Sequence, residues 1–211
     1  LLEALERDFE GEEELRRLLL SAPKWGNGEA ETDSLARLVT DRLYAEYKGL
    51  VNARGGRWQV ALYSFMANWG LGEVCGASAD GRPAKEHLTR NLNPTWGTDH
   101  NGPTAVLNSL AAIDFTQFPD GSALDLRFDP KLFETEAARD SFVGFLKAFV
   151  DLGVMEMQLS FADADTLRAA RDHPEQHQHV MVRVAGYSAR FIDLEPREQE
   201  EVINRTEQGW G

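Results

Sequence analysis

Hydrophobic and polar residues alternate from Val180 to Val184, and apolar positions resume at Ala189 and Phe191. A period of two residues predicts two strand-like arms, and the intervening Gly186 predicts a turn. Taken by itself, this pattern is typical of an ordinary hairpin, because glycine adopts a positive φ at little cost. The C-terminal part of the chain therefore contains a two-armed turn centred on Gly186.

Helical spacing of apolar residues, in which positions three or four apart share a face, dominates the rest of the chain. It predicts one helix or two short ones over 1–20, and further helices over 32–53, 105–113, 135–152, 163–171 and from Pro196. Strands are predicted over 58–66, 124–128 and 154–161. This alternation of helices and strands indicates an α/β class.

Three of these segments also predict which side chains are buried. The 32–53 helix places four aliphatic residues on one face: Leu35, Leu38, Val39 and Leu43. The 135–152 helix, capped by Gly153, directs its apolar residues inward: Phe142, Val143, Leu146, Phe149 and Val150. The 154–161 strand has an apolar face and a polar face, and the polar face fits either a wet cavity or solvent exposure.

Composition narrows the class of protein without identifying it. The chain has 211 residues, enough for one large domain or two small ones, and its net charge of −13 argues against a nucleic-acid partner. No apolar run approaches the roughly 18 residues that a membrane helix requires, and the amphipathic, acidic first residues are not those expected of a signal peptide. A single cysteine excludes an internal disulfide and fits a reducing cytoplasm. The chain begins without methionine inside a helical pattern, so we expect a piece of a longer polypeptide.

The run Arg183-Val184-Ala185-Gly186-Tyr187-Ser188-Ala189-Arg190-Phe191, followed by Ile203-Asn204-Arg205-Thr206, closely resembles the signature of glycyl radical enzymes. That family includes pyruvate formate-lyase, diol dehydratases, choline trimethylamine-lyase and arylacetate decarboxylases. The resemblance implies that Gly186 is the catalytic residue that stores a radical. It also implies that Arg183, Ala185, Tyr187 and Ser188 support the loop. Met181 departs from the family pattern, which affects the packing of the arm and not the chemistry.

Glycine suits this role for a chemical reason. An α-carbon radical is stabilised when it is planar and conjugated with both the amide nitrogen and the carbonyl, and a Cβ substituent crowds that planar geometry. Such a radical must be shielded from oxygen and solvent, so we expect Gly186 to be deeply buried. An ordinary hairpin tip is normally exposed. Burial of Gly186 therefore separates the two interpretations.

Three other stretches resemble the same family. Residues 15–27 end in an Ala-Pro-Lys-aromatic-Gly-Asn loop, and 77–83 resemble its Asp-Gly-Arg loop with Ala79 in place of proline. Residues 93–109 resemble its Gly-Pro-Thr-Ala run, with Asn93 where serine is common. Pro103 at a first helical turn also fits a purely structural helix start, and an Asp-Gly pair also fits a plain turn. Within 93–109, Trp96 is a candidate contact to a substrate cavity.

The resemblance implies an overall fold and a set of partners. It divides the chain into 1–85, the C-terminal end of the pyruvate formate-lyase-type barrel domain, and 86–211, the glycyl radical domain. The complete fold is expected to be a ten-stranded α/β barrel with a buried glycine loop at its centre. No bound cofactor or metal is implied. A separate S-adenosylmethionine-dependent iron–sulfur activating enzyme is expected to install the radical on Gly186, and a homodimer of the full enzyme is compatible with this picture.

Two other groups of residues are candidates for a metal site and a catalytic thiol. His173 and His177 lie four residues apart, but Pro174 discourages a helix through them, so a metal site is not expected. Cys75 is the only thiol, and it is too near Gly186 in sequence and in the wrong motif to be the family's catalytic cysteine. We expect it to be a small buried residue.

These observations leave three hypotheses. The first is the C-terminal part of a glycyl radical lyase, dehydratase or decarboxylase that acts on a small molecule with a cysteine absent from this chain. The second is a stand-alone radical-carrying subunit that docks onto a cysteine-bearing partner. The third is a non-catalytic α/β domain with a surface hairpin. On the first two hypotheses, the 211 residues do not turn over substrate alone, and the setting is an anaerobic cytoplasm.

Overall fold

The computed structural model describes residues 1–65, 67–184 and 186–204 and the backbone of 207–208. Eight α-helices and five β-strands occur in this part of the chain. The helices are α1 Leu2–Glu6, α2 Glu13–Ser21, α3 Ala30–Tyr47, α4 Ala67–Val74, α5 Gly102–Leu110, α6 Glu136–Leu152, α7 Ala164–Asp172 and α8 Pro196–Asn204. The strands are β1 Ala123–Phe128, β2 Glu156–Phe161, β3 Met181–Arg183, β4 Ser188–Arg190 and β5 Glu207–Gln208.

The strands form two small sheets. In the first, β1 lies between β2 and β5 and is parallel to both, with Leu124 opposite Met157 and Asp125 opposite Gln158. In the second, β3 and β4 form an antiparallel hairpin. The α/β class is therefore confirmed, but the expected ten-stranded barrel is not seen in the described residues, which supply only these five strands.

Local signals at the helix ends act as the sequence predicts. The Thr135 hydroxyl accepts a hydrogen bond from the Ala138 amide at 3.2 Å and caps α6, which ends at Gly153 with φ of +75°. The Asp163 carboxylate accepts one from the Thr166 amide at 2.8 Å and caps α7. The helix expected over 32–53 begins earlier, at Ala30, and ends earlier, at Tyr47, so α3 is shorter than predicted.

The segment 58–66 corrects a prediction. It was expected to be a strand, but its described residues form one isolated bridge, in which Leu62 pairs with Ser122 in parallel, and a second bridge, between Val51 and Arg57, lies just before the segment. The Leu62 amide donates to the Gly121 carbonyl at 2.7 Å, so the chain runs beside the start of β1 without continuing the ladder. Met66 lies outside the described residues. High β-propensity alone did not supply a partner strand.

Two apolar clusters hold the chain together. The first lies between β1, α5 and α6, and includes the fully buried Leu124, Phe128 and Val106. The second lies under the β3–β4 hairpin and is built from Leu167 of α7, Val202 of α8 and the inner residues of the hairpin. Packing of the inner face of the hairpin against this cluster positions its base.

Several large apolar side chains predicted to be inward are exposed. Val143 and Val150 of α6 are 48% and 72% exposed, because α6 packs through Phe145 and Phe149 instead. The aliphatic face of α3 forms as predicted, but Leu35, Leu38 and Val39 are 60%, 57% and 58% exposed. Periodicity identified the shared face of α3 correctly but could not tell whether anything covers it. Among the described residues, no helix is both long enough and apolar enough to cross a membrane.

Candidate functional site

The hairpin β3–β4 carries Gly186 at its tip. Val182 lies opposite Ala189 and Arg183 opposite Ser188, which confirms the predicted two-armed turn. The hairpin is closed by the Val184 amide, which donates to the Tyr187 carbonyl at 2.9 Å. At its base the Phe191 amide donates to the Val180 carbonyl at 2.8 Å. The ladder therefore fixes the spacing of the two arms on either side of the glycine.

Alternating side chains attach the hairpin to the second apolar cluster. Val180, Val182 and Val184 are at most 5% exposed, and Phe191 is fully buried. The outward-facing Met181 is 54% exposed, so its departure from the family pattern lies on the surface of this chain. Burying these three alternate valine side chains stabilises the first arm by roughly 1.5–3 kcal/mol for each side chain. The arm is thus a rigid support for the tip.

Gly186 itself adopts a positive φ of +79°, in the left-handed region that favours glycine. The residue is exposed, and no described atom lies within 4 Å of the position where a Cβ would stand. The expected deep burial of the tip is therefore not met within this chain, because no described element packs over it. Burial consequently does not separate the two interpretations here, and identification depends on other evidence.

Arg90 provides one anchor for the hairpin. Its guanidinium, 3% exposed, donates to the carbonyl of Val184, two residues before the glycine. The same guanidinium pairs with the Glu201 carboxylate of α8 at 2.5 Å and lies 3.5 Å from the Asp125 carboxylate of β1. A buried cation with two carboxylates and a carbonyl joins the hairpin, α8 and β1 at one point.

Gln158 provides a second anchor, at the glycine itself. The Gly186 amide donates to the Gln158 side-chain oxygen at 2.9 Å, and this glutamine is 6% exposed. Gln158 belongs to the polar face of β2, which the sequence left open between a wet cavity and solvent exposure. The structure shows that Gln158 and Ser160 of that face are buried, whereas Phe161 of the apolar face is 47% exposed.

The sequence did not identify either anchor. The sequence indicated that Gln158 lies on a polar face of β2, because polar residues occupy every second position. That pattern does not tell whether the face is buried in the protein or in contact with water. For Arg90 no sequence signal existed, because its partners lie 35 and 111 positions further along the chain. Only the packing of β1, β2 and α8 brings these groups together.

The predicted loop residues lie as follows. Arg183 and Ser188 face each other across the hairpin ladder, and Tyr187, 47% exposed, contributes the carbonyl that closes the turn. Ala185 lies outside the described residues, as do Arg205 and Thr206 of the second signature run.

Trp96, the candidate cavity contact, belongs to an aromatic cluster with His87 and Trp69. The rings of Trp96 and His87 are 3.8 Å apart, and those of Trp96 and Trp69 are 6.3 Å apart. Trp96 lines a cavity of about 250 Å³ together with residues that include His87, Arg82, Lys24 and Thr95. Burial lowers the pKa of His87 below 6.5, and the Arg82 charge acts in the same direction against Glu201 and Glu86.

The aromatic cluster is linked to the hairpin through one side chain. The indole N–H of Trp69 donates to the second oxygen of Glu201 at 2.5 Å, and Glu201 in turn binds Arg90. A continuous set of contacts therefore runs from Trp96 through Trp69, Glu201 and Arg90 to the Val184 carbonyl. The loop that holds Trp96 is coupled to the hairpin by packing and hydrogen bonds, not by sequence proximity.

Two of the stretches singled out in the sequence pack against each other. The Asn27 side chain donates to the Thr98 carbonyl at 2.7 Å and accepts from the His100 amide at 2.8 Å. A Cβ on Gly26 would stand 2.3 Å from the Pro94 ring, so this contact requires glycine. The loop at the end of residues 15–27 is therefore fitted to the 93–109 stretch.

The Asp-Gly-Arg loop is organised around Arg82. Its guanidinium donates to the carbonyls of Gly76, Pro83 and Glu86 and to the Ser78 hydroxyl. Burial alone would raise the pKa of Asp80, but hydrogen bonds from Ser78 and the Arg82 amide, with the Arg82 charge, lower it overall. The geometry is that of a well-satisfied turn whose carboxylate stays ionised.

The structure also shows the surroundings of the histidines considered as a metal site and of Cys75. Among the described residues, no three His, Cys, Asp or Glu side chains converge in a way that could hold a metal ion. The rings of His177 and His179 are stacked 6.3 Å apart. Cys75 is half-buried, whereas a buried residue was expected.

Fold and site together define a mixed α/β protein whose distinguishing feature is a glycine at the tip of a hairpin held by buried side chains. Comparison with known proteins identifies this class. Residues 88–192 match the family model described as "Glycine radical", and residues 1–72 match "Pyruvate formate lyase-like". The chain belongs to the glycyl radical enzyme family and corresponds to its C-terminal part.

Similar proteins cover almost the whole chain. It is 35% identical over 210 residues to isethionate sulfite-lyase of Oleidesulfovibrio alaskensis, a match covering 98% of this chain and 25% of that protein. It is 32% identical over 209 residues to trans-4-hydroxy-L-proline dehydratase of Clostridioides difficile, and the match covers 99% of this chain and 26% of that protein. The structure of the glycerol-bound B12-independent glycerol dehydratase of Clostridium butyricum superposes on this chain with a TM-score of 0.91 at 34% identity. The match covers 99% of this chain and 26% of the dehydratase chain. The chain thus spans about a quarter of the length of these relatives.

Proposed function

We propose that Gly186 is the residue of this protein that stores the catalytic radical. The observation that carries the proposal is the position of Gly186 at the tip of a hairpin fixed on both sides of the turn, in a chain of the glycyl radical family. Arg90 holds the carbonyl of Val184, and Gln158 holds the amide of Gly186. Such double anchoring suits a backbone atom that must be presented repeatedly in one geometry.

The proposed chemistry is a relay of hydrogen atoms. The α-carbon–hydrogen bond of Gly186 breaks homolytically, and the hydrogen atom goes to a carbon radical generated from S-adenosylmethionine by a separate iron–sulfur activating enzyme. The glycyl radical then takes a hydrogen atom from a cysteine thiol, which restores the carbon–hydrogen bond and leaves a thiyl radical. That thiyl takes a hydrogen atom from the substrate. The protein's part is to position the reacting atoms and exclude competing reactions.

The cysteine and most of the barrel lie, in this proposal, in polypeptide beyond the 211 residues. We propose that 1–85 close the barrel domain and that 86–211 form the glycyl radical domain. The exposed aliphatic face of α3, with Leu35, Leu38 and Val39, supports a covering partner surface, because contiguous exposed apolar residues mark interaction sites. The same remaining part of the barrel would enclose Gly186 and protect the radical from oxygen.

The reaction class follows from the run around the glycine. Arg183-Val184-Ala185-Gly186-Tyr187-Ser188 resembles the dehydratase, decarboxylase and C–N lyase branch more than pyruvate formate-lyase. The named relatives are a sulfite-lyase and two dehydratases, each named for a small polar molecule. We therefore propose a lyase or dehydratase of the anaerobic cytoplasm that acts on a small polar substrate, with Trp96 at the edge of the substrate cavity.

Electron paramagnetic resonance tests the proposal directly. After anaerobic activation of the complete protein, we expect a doublet from coupling to a single α-hydrogen, which collapses to a singlet when Gly186 carries deuterium. The variant Gly186→Ala should lack both the doublet and activity. Because a Cβ at this position meets no described atom within 4 Å, the substitution should not disrupt packing inside the chain. A doublet that persists in Gly186→Ala would show that the radical is elsewhere.

A further inference from the structure

Gln158, on the polar face of the parallel sheet, reaches the glycine at the tip of the hairpin. Gln158 lies in the middle of β2, opposite Asp125 of β1, and its oxygen accepts the Gly186 amide hydrogen at 2.9 Å. The glutamine is 6% exposed, whereas Gly186 is exposed. A buried side-chain carboxamide therefore holds the amide nitrogen of Gly186, which is bonded directly to the proposed radical centre.

The chemistry of an α-carbon radical makes this contact significant. The unpaired electron is delocalised onto the amide nitrogen and the carbonyl, and the nitrogen acts as the electron donor. A hydrogen bond from the N–H to a good acceptor polarises the bond and leaves the nitrogen richer in electrons. It also fixes the plane of the peptide that must stay coplanar with the α-carbon. Hydrogen bonds to ring nitrogens tune organic cofactors in the same way.

We propose that Gln158 is a positioning residue that orients the Gly186 amide and stabilises the radical stored there. The inference rests on the proposed function of Gly186 and extends it to the group that adjusts the radical's lifetime. Gln158 is suited to the task because its backbone is fixed by six-residue pairing between β1 and β2. Arg90 holds the Val184 carbonyl independently, so the amide can be altered at Gln158 without releasing the hairpin.

Three substitutions of Gln158 in the complete, activated protein separate the acceptor from the volume of the side chain. Gln158→Leu keeps the size and removes the acceptor, and Gln158→Asn keeps a carboxamide but withdraws it by one carbon. Gln158→Glu keeps an acceptor oxygen at the same reach. Ser160→Ala is the matched control, since it removes a polar group from the same buried face of β2.

Two measurements report on the radical. The hyperfine coupling of ¹⁵N-labelled glycine measures spin on the nitrogen, and the decay of the doublet without oxygen measures lifetime. We expect Leu and Asn variants to show a smaller nitrogen coupling and a half-life shortened roughly three- to tenfold, the range of one hydrogen bond. Ser160→Ala should resemble the wild type, and Gln158→Glu, which keeps an acceptor at this position, should not show the smaller nitrogen coupling of the Leu and Asn variants. A role confined to folding would not change the nitrogen coupling of correctly folded protein.

The outcomes distinguish this inference from the proposal beneath it. If Leu and Asn variants keep the wild-type coupling and half-life, the positioning role of Gln158 is overturned while Gly186 remains the radical carrier. If Gln158→Leu does not fold, Gln158→Asn decides by the same criterion. If the activated wild-type protein shows no doublet, or Gly186→Ala retains it, the proposed function fails and the inference fails with it.

Discussion

The guanidinium of Arg90 binds the carbonyl of Val184, so a buried cation from one loop holds the hairpin two residues before its glycine. The same group pairs with Glu201 at 2.5 Å, and both side chains are at most 4% exposed. Removing water from charged groups is costly, and the cost is offset only when partners are complete. Arg90 therefore makes the position of the hairpin depend on α8 and β1.

Arg90→Met should destabilise the protein severely. The substitution removes the Arg90 cation from the buried Glu201 and Asp125 carboxylates, and breaking a buried ion pair in this way typically costs about 3–5 kcal/mol. Urea unfolding of the purified protein measures the effect. The control is Arg197→Met, which breaks an exposed pair with Glu73 and should cost less than about 1 kcal/mol. Equal effects of the two substitutions would contradict the importance given to the buried pair.

Gly26→Ala tests the fit between the first loop and residue 94. The new methyl group would stand 2.3 Å from the Pro94 ring at a backbone φ of +100°, so overpacking of about 1–3 kcal/mol adds to the backbone strain. Gly49→Ala is the matched control, because its φ is +93° and its Cβ position has no described neighbour within 4 Å. Thermal unfolding should rank Gly26→Ala as the less stable variant. The reverse order would contradict the proposed close packing.

His87 should titrate below its ordinary pKa of 6.5, because burial beside Trp96 disfavours the charged ring. The folded state then binds fewer protons than the unfolded state as the pH falls below 6.5, so this histidine lowers stability in that direction. Histidine NMR titration, assigned with His87→Phe, measures the pKa. Trp96→Ala admits water to the ring and should raise the pKa toward its ordinary value. An unchanged pKa in Trp96→Ala would mean that Trp96 does not shield His87.

Oxygen should cut the activated protein at the radical position. Dioxygen adds to a carbon-centred radical, and breakdown of the adduct breaks the N–Cα bond of Gly186. This releases the segment from Tyr187 onward, with the oxidised carbons of Gly186 still attached to its first nitrogen. Denaturing gel electrophoresis and mass spectrometry after brief exposure to air identify the product. Neither unactivated protein nor activated Gly186→Ala should be cut there. Cleavage at another position would place the radical on a different residue.

Local patterns predicted the elements whose ends are set by neighbouring residues. Gly153 ends α6 as predicted, and Thr135 and Asp163 cap the first turns of α6 and α7, because each cap involves contacts within a few positions. The hairpin around Gly186 formed for a similar reason, since its two arms are close in sequence. In contrast, the described residues of 58–66 favour a strand but form no full ladder, and Val150 has the helical period but remains 72% exposed.

The sequence by itself determined the family, and it is the basis for proposing Gly186 as the radical carrier, because both depend on a short run of residue types in fixed order. Only the tertiary structure decided that Arg90, Gln158 and Glu201 meet around that run. These contacts join positions that lie 28 to 111 apart along the chain. No periodic pattern encodes such contacts, since they arise when separate elements pack and must satisfy the polar groups that packing buries.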